Sequence, residues 1–330
     1  MSQSNGEFIS EWKIGEGGAE IMPGSRILIC KLGAAGDVLR TTPLLEILPQ
    51  YGVDWLVDPR HMGLIAGSRA RVLTSFSQIN PQQRYDILFS LEESSSIVEP
   101  LTRIVRSEEL IGTYTTDSGR IAYTQGSRGW FDMSLISRHG RQVANRLKFE
   151  NRLTYQQCLF SMTGLQFNGQ RYACFGVERR RHNGDVLIAP HAGPRWPNKR
   201  WAFFESLAER LSANYKVNWL AQEPSFRSLA ETIGAHSVVI ANDSLPLHLC
   251  LSEMVPVCGL FTCTSPWEIY DYGVLKKIVS ARLGEFFYSN EPNIAAVESI
   301  DVEEVCAAAI GLLEDHANVA RKSTEQRLAR

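Results

Sequence analysis

From Val186 onward the chain alternates short apolar runs with longer amphipathic ones: VLIAP, WAFFESLAERLSANY, VNWLA, FRSLAETIGA, SVVIA, NDSLPLHLCLSEM, VPVCGLF. The short runs have the length and branched apolar content of buried strands, and the long ones gather their apolar residues on one helical face. A parallel sheet satisfies such alternation, because each crossover to a parallel neighbour needs a helix's length of chain and lays that helix on the sheet. A looser version comes first: RILICK, VLRTTPLLEILPQ at helical spacing, VDWLV, ARVLTSF and YDILFSL. At 330 residues the chain is too long for one ordinary core and suits two domains of about 150 residues each. The pattern therefore predicts an α/β protein with two doubly wound domains in tandem. Residues 1–24 are expected to form a polar, glycine-rich arm or added hairpin, 25–178 the first domain and 179–330 the second, with the polar stretch VERRRHNGD joining them. The last helical stretch, VEEVCAAAIGLLEDHANVARKS, would pack on the second domain or cross back to the first.

Charge and cysteine usage narrow the class. With 34 basic and 36 acidic residues the net charge is −2, which argues against nucleic-acid binding through bulk charge. The seven cysteines (Cys30, Cys158, Cys174, Cys250, Cys258, Cys263, Cys306) are scattered and odd in number, and read as reduced core thiols. Cys258 and Cys263 make the only close pair, without the second pair a zinc knuckle needs, so no metal site is expected. No charged-then-apolar leader opens the chain and no window approaches 18 apolar residues. A soluble cytoplasmic protein is expected.

Three loops carry candidate chemistry. KLGAAGD follows the first strand where a dinucleotide-binding glycine loop would stand, but it has only Gly33 and Gly36. Asp58, past the next strand and followed by Pro59, is a poor ribose ligand, which argues against a nicotinamide dehydrogenase. The small side chains let a substrate approach the backbone, and Asp37 places a carboxylate in a helix's first turn, as a cap or for chemistry. In ANDSLPLHL, Asp243 and Ser244 lie just past a strand, Pro246 suits a helix's first turn, and His248 projects from that turn. Helix N-terminal amides bind phosphate, and Ser244 and His248 would add donors; the alternative is a capped helix with a satisfied histidine. PHAGPRWPNKRW puts Arg195, Lys199 and Arg200 near a third strand end, where guanidinium forks suit phosphate oxygens. Together the last two loops predict a diphosphate site in the second domain. Between Thr113 and Phe175 the alternation weakens and arginines accumulate (Arg120, Arg128, Arg138, Arg141, Arg146, Arg152) around Trp130 and Phe131. That region reads as a solvated edge or as a surface for an anionic acceptor.

The ordered set ILICKLGAAGDVLRTTPLLEIL with VDWLV, PHAGPRWPNKRWAFFESLAERL, and VVIANDSLPLHLCLSEMVPVCGLFTCTSPWEIY resembles glycosyltransferase family 9, the ADP-heptose heptosyltransferases of lipopolysaccharide assembly. The resemblance runs from Arg26 to about Tyr272 and is poorest from Thr113 to Phe175. It implies the GT-B fold, two facing Rossmann-like domains with a cleft between them, and inverting, metal-independent transfer from a nucleotide-diphospho sugar without a cofactor. Asp37 matches the general base on the acceptor hydroxyl. Arg195, Glu223, Asp243, Ser244 and His248 fall at donor-binding positions; the reading of the residues adds Lys199 to the donor side and Gly36, Arg138 and Arg141 to the acceptor side. ADP-heptose is the donor implied; the acceptor would be a saccharide, a lipid-linked core that brings the protein to the inner membrane, or a small natural product. The chain departs from the family at Leu245, where the diphosphate loop has glycine, at Leu249 and Cys250, and at Pro194, where a lysine is usual. Two other readings follow: a non-catalytic sugar-nucleotide or glycan binding protein of the same fold, and a nucleotide-sugar epimerase.

Overall fold

The structure, a computed structural model, describes residues 12–14, 19–21, 24–48, 52–177 and 185–328. The chain forms two compact units, the first from Met1–Leu147 and Tyr155–Gln170, the second from Lys148–Thr154 and Arg171–Arg330. The division falls after Gln170, ahead of the VERRRHNGD stretch, most of which (178–184) lies outside the described residues. Specific contacts place Lys148–Thr154 with the second unit. Lys148 is 3.5 Å from Glu268, Phe149 packs edge-on against Trp267 and Phe287, and the Arg152 guanidinium lies 3.8 Å above the Trp267 ring.

In the first unit, β1 (Trp12–Ile14) and β2 (Ala19–Ile21) pair antiparallel within the segment expected to be an arm or hairpin. The main sheet contains β3 (Arg26–Cys30), β4 (Gly52–Leu56), β5 (Arg71–Leu73), β6 (Arg84–Ser90), β7 (Arg106–Thr115) and β8 (Ile121–Tyr123), in the order β5-β4-β3-β6-β7-β8. All neighbours are parallel except β8 on β7. Central β3 is buried on both faces from Ile27 to Cys30, which is why its sequence is a continuous apolar run instead of an alternating one. One face packs Leu28, Cys30, Leu56 and Leu88 against Leu101 of the helix Ser95–Ile104. The stretch VLRTTPLLEIL is not one helix: Ala35–Thr41 ends before Pro43, and a short helix, Leu44–Ile47, restarts beyond it. Proline has no N–H to donate, so the ladder breaks there although Thr42 before it keeps right-handed helical backbone.

The second sheet contains β9 (Asp185–Ala189), β10 (Lys216–Trp219), β11 (Val238–Asn242), β12 (Val257–Phe261) and β13 (Leu275–Val279), all parallel in the order β10-β9-β11-β12-β13. One face presents Val186, Ile188, Val238, Ile240, Cys258 and Leu260 to Phe204, Leu207 and Leu211 of the helix Phe204–Ser212. The last helix, Val302–Leu328, adds Val305, Ala309 and Leu313 to this core, so of its two expected positions it takes the one on the second unit. On the other face Leu247, from the helix Leu245–Glu253, packs close over β12, where a Cβ on Gly259 would lie 2.7 Å from the Leu247 Cδ1.

Both strand orders reverse beside a first strand. The chain steps from β3 to β4 on one side and later to β6 on the other; it steps from β9 to β10, then to β11. In open α/β sheets the crevice for a ligand opens outside the strand carboxyl ends at such a reversal. KLGAAGD leaves β3, PHAGPRWPNKRW leaves β9, and ANDSLPLHL leaves β11.

Candidate functional site

In the first unit a buried carboxylate organises the loop after β3. Lys31 directs its ammonium onto Glu92, past the end of β6, at 3.2 Å, and donates to the Leu91 carbonyl at 3.2 Å. Both side chains are only 12% exposed. The same Glu92 oxygen, Oε1, accepts from the amides of Leu32 (2.6 Å) and Gly33 (2.9 Å). From β4 and its following loop, the Trp55 indole donates to the Lys31 carbonyl at 3.2 Å, and the His61 Nδ1 lies 2.9 Å from the Leu32 carbonyl. Burial opposes the charge on Lys31, but Glu92, with Asp37 adding to it, outweighs that and raises the ammonium above its ordinary value.

Asp37 is not a cap. Ala34 occupies the N-cap position, and Asp37 is the third helical residue, its own amide donating to the Ala34 carbonyl at 2.8 Å. Its carboxylate is 42% exposed and lies 3.4 Å from Arg40. The Arg40 guanidinium is itself buried over the face of Tyr155 at 4.4 Å, and the Tyr155 hydroxyl is 2.8 Å from the Thr41 hydroxyl. The helix thus holds a partly open carboxylate at the strand reversal, with one cation beside it and Lys31 within electrostatic reach.

In the second unit Asp243 is the hub. Lys199 donates to its Oδ2 at 2.8 Å and to its carbonyl at 2.9 Å, the Thr264 hydroxyl donates to Oδ2 at 2.7 Å, and His248 Nε2 is 3.9 Å from Oδ1. Burial alone would raise this carboxyl; Lys199 and His248, with the hydrogen bonds from Lys199 and Thr264, reverse that and hold it well below the usual carboxylate range. Buried Asn242 joins the two loops, donating to the Pro190 carbonyl (2.8 Å) and accepting from the Trp201 amide (3.2 Å). Ser244 sits at the N-cap of Leu245–Glu253 without capping it; its hydroxyl turns back to the Asn242 carbonyl at 3.3 Å. First-turn amides of any helix lack intrahelical partners, and Pro246 contributes none, so the end of this helix presents a few free donors beside Ser244. Leu245 is not in the left-handed backbone region, so the conformational reason for a glycine is absent there.

Of the residues singled out in the sequence, Lys199, Asp243, Ser244 and His248 come together around one helix N-terminus, while Gly36 and Asp37 share the first turn of the helix Ala35–Thr41. Arg195 is exposed on the loop after β9, 5.6 Å from the ring of Trp196. Glu223 lies past edge strand β10, accepting from the Thr232 hydroxyl at 2.7 Å. The arginines singled out between Thr113 and Phe175 are divided between the units, Arg152 in the second and the others in the first. Arg138 pairs with Asp132 at 3.2 Å, Arg141 opens the helix Arg141–Glu150, and Arg152 covers Trp267. Glu92, Lys31, Tyr155, Asn242 and Thr264 were not anticipated. Glu92 bonds residues 60 positions away, a pairing that only the topology reveals.

The fold is that of the GT-B glycosyltransferases. No protein-family model matches the chain, and no curated protein matches it in sequence. Among solved structures it is similar to a family 9 glycosyltransferase from Veillonella parvula, at 19% identity and a TM-score of 0.59 over 88% of this chain and 98% of the other. It is similar also to the E. coli ADP-heptose LPS heptosyltransferase II (14% identity, TM-score 0.57, 88% and 99% covered) and to the E. coli heptosyltransferase WaaC solved with ADP (15%, 0.51, 88% and 99%). What the chain shares with them at these identities is the fold. Among the described residues no helix is long and apolar enough to cross a membrane, and no group of three or more His, Cys, Asp or Glu side chains is arranged to hold a metal.

Proposed function

We propose that this protein is an inverting glycosyltransferase that moves a sugar from a nucleotide-diphospho sugar to an acceptor hydroxyl without a metal. The observation carrying the reading is that Asp37, at the β3 reversal, is held open and spared from capping, while the second reversal gathers Lys199, His248 and a helix N-terminus around Asp243. In the reaction Asp37 accepts the proton of the acceptor hydroxyl as its oxygen attacks the anomeric carbon. The bond from that carbon to the diphosphate oxygen breaks, and the charge left on the diphosphate is met by Lys199, Arg195, His248 and the helix amides. Asp243 takes a supporting part: an acceptor-only carboxylate repels phosphate, but it fixes the ammonium of Lys199 and turns His248 toward the site. WaaC, of the same fold, was solved with ADP, which favours an adenine nucleotide, and ADP-heptose is the donor we favour. The acceptor class is a saccharide, lipid-linked or small-molecule hydroxyl.

The test is calorimetric titration with ADP, UDP, GDP, CDP and dTDP, followed by transfer assays. One diphosphate should bind selectively, and Lys199→Ala should weaken it roughly 10- to 100-fold, the worth of a charge-assisted hydrogen bond. Asp37→Asn should keep that affinity and lose turnover by on the order of 100-fold or more. Binding without any turnover in the wild-type chain would favour the non-catalytic binding reading, to which Leu245 in the first turn of the phosphate-binding helix lends support.

A further inference from the structure

We propose that Asn198 is a positioning residue for Lys199: it clamps the turn carrying the lysine to the segment 289–293, and so fixes the ammonium where a diphosphate would meet it. The inference rests on the nucleotide-diphosphate reading of this site.

Asn198 is fully buried, in the one-turn helix Pro197–Lys199. Both polar atoms of its side chain are spent on backbone 91 to 95 positions further along. Its Nδ2 donates to the carbonyls of Ser289 at 3.2 Å and Glu291 at 2.8 Å, and its Oδ1 accepts from the Asn293 amide at 2.8 Å. A carboxamide offers two N–H donors and an acceptor oxygen, the match for two carbonyls and one amide. Aspartate has the same size but no hydrogen to give those carbonyls, and leucine can meet none of the three groups. The Asn198 carbonyl in turn accepts from the buried Thr262 hydroxyl, just past β12, at 2.5 Å.

These bonds bear directly on the ion pair. Thr264, two residues beyond Thr262, donates to Asp243 Oδ2, so one strand end holds Asp243 itself and the backbone next to Lys199. The Lys199 amide closes its turn on the Trp196 carbonyl at 3.1 Å, and Asn242 holds the Trp201 amide on the other side. Lys199 therefore stands between two backbone points, each tied down by a buried asparagine. A lysine stem is flexible, so where its ammonium rests depends on how the backbone beneath it is fixed. Glu291 and Asn293 are exposed, and water can replace the Asn198 amide there. Losing the clamp thus frees the turn without unfolding the chain.

The test has a ligand-free arm and a binding arm. In the chain labelled with 13C-lysine, the Lys199 Cε signal is assigned by its loss in Lys199→Ala. It should lie away from the free-lysine position, with its two protons inequivalent, because the ammonium is fixed on Asp243. Asn198→Ala should merge those protons and move the signal toward the free-lysine position. Thr262→Val, nearly isosteric, should move it the same way by less, and serves if circular dichroism shows Asn198→Ala unfolded. In calorimetric titration with ADP, or with UDP, GDP, CDP or dTDP if one of those binds instead, Asn198→Ala should weaken binding about 3- to 10-fold. In a Lys199→Ala background the same change should cost no more than about 2-fold, because the clamp acts through the lysine. A merely structural role would cost the same in both backgrounds, and that result overturns the proposal. So does a Lys199 signal unmoved in a folded variant. A signal that moves as expected in a chain that binds none of the nucleoside diphosphates would sink the nucleotide reading and leave the clamp standing. Nucleotide binding with an unmoved signal would sink the clamp alone.

Discussion

Asp243 has a folded-state pKa lowered beneath that of an unfolded aspartate, so its interactions stabilise the protein fully above about pH 4 and progressively less as the pH falls toward the folded value. Asp243→Asn leaves the Lys199 ammonium largely buried without its partner and should destabilise the chain by about 2–3 kcal/mol at neutral pH. In urea unfolding the gap between variant and wild type should begin to narrow below about pH 4, where the carboxyl of the unfolded chain protonates while the folded one stays ionised; a gap constant from pH 7 to 3 would show the ion pair is not its source. This residue, with Lys199 and His248, was legible in the sequence, because Asp243 and Lys199 stand in loops after runs that read as strands and His248 in the first turns of the helix that follows one of them. Its partner Thr264 was not: it lies past β12 in a segment whose sequence carries no distinguishing spacing, and only the parallel pairing of β11 with β12 brings it to Asp243. Glu92 was hidden for the same reason: it stands past β6, and only the parallel pairing of β3 with β6 brings it to the loop after β3.

Elements were easier to see than their joins. Strands β9 to β12 of the second sheet were visible as apolar runs, and β11 and β12, buried throughout, have little choice of residue; β13, which carries Lys276 and Lys277, was not seen. The single helix expected across VLRTTPLLEIL failed because periodicity continued through Pro43 while the hydrogen-bond ladder did not. The packing of Leu245–Glu253 on β12 depends on a residue with no periodic signature, Gly259. A Cβ there would meet the Leu247 Cδ1 at 2.7 Å and the Leu275 Cδ1 at 2.8 Å, so Gly259→Ala should destabilise by about 1–3 kcal/mol. It should also weaken nucleotide binding, because the displaced helix carries Ser244 at its cap and His248 in its first turns. Adding Leu247→Ala should give a double variant less damaged than the sum of the two, since the second change removes part of the clash. Strict additivity in denaturant unfolding would mean the two sites do not touch.

At the scale of the molecule, the two units have separate apolar cores, one around β3 and β6 and the other around β9, β11 and the last helix. Calorimetry should resolve two transitions, and a nucleoside diphosphate at about 100 times its Kd should stabilise only the second unit's, by about 2.7 kcal/mol. Asp243→Asn should lower that transition and remove its response to ligand; a single transition moved by ADP would mean the units unfold together. The cysteines supply a way to watch this. Five are buried, and burial pushes the Cys258 thiol up to about 12 and the Cys263 thiol up to about 11, while Cys174 is exposed. Cys174 lies between Ala173, whose carbonyl accepts from Ser252, and Phe175, whose amide donates to Glu253, so it is strapped to the far end of the helix that begins at Leu245. The chain therefore carries a native attachment point for a maleimide dye, and its fluorescence would report from the foot of the helix Leu245–Glu253 without any engineered residue.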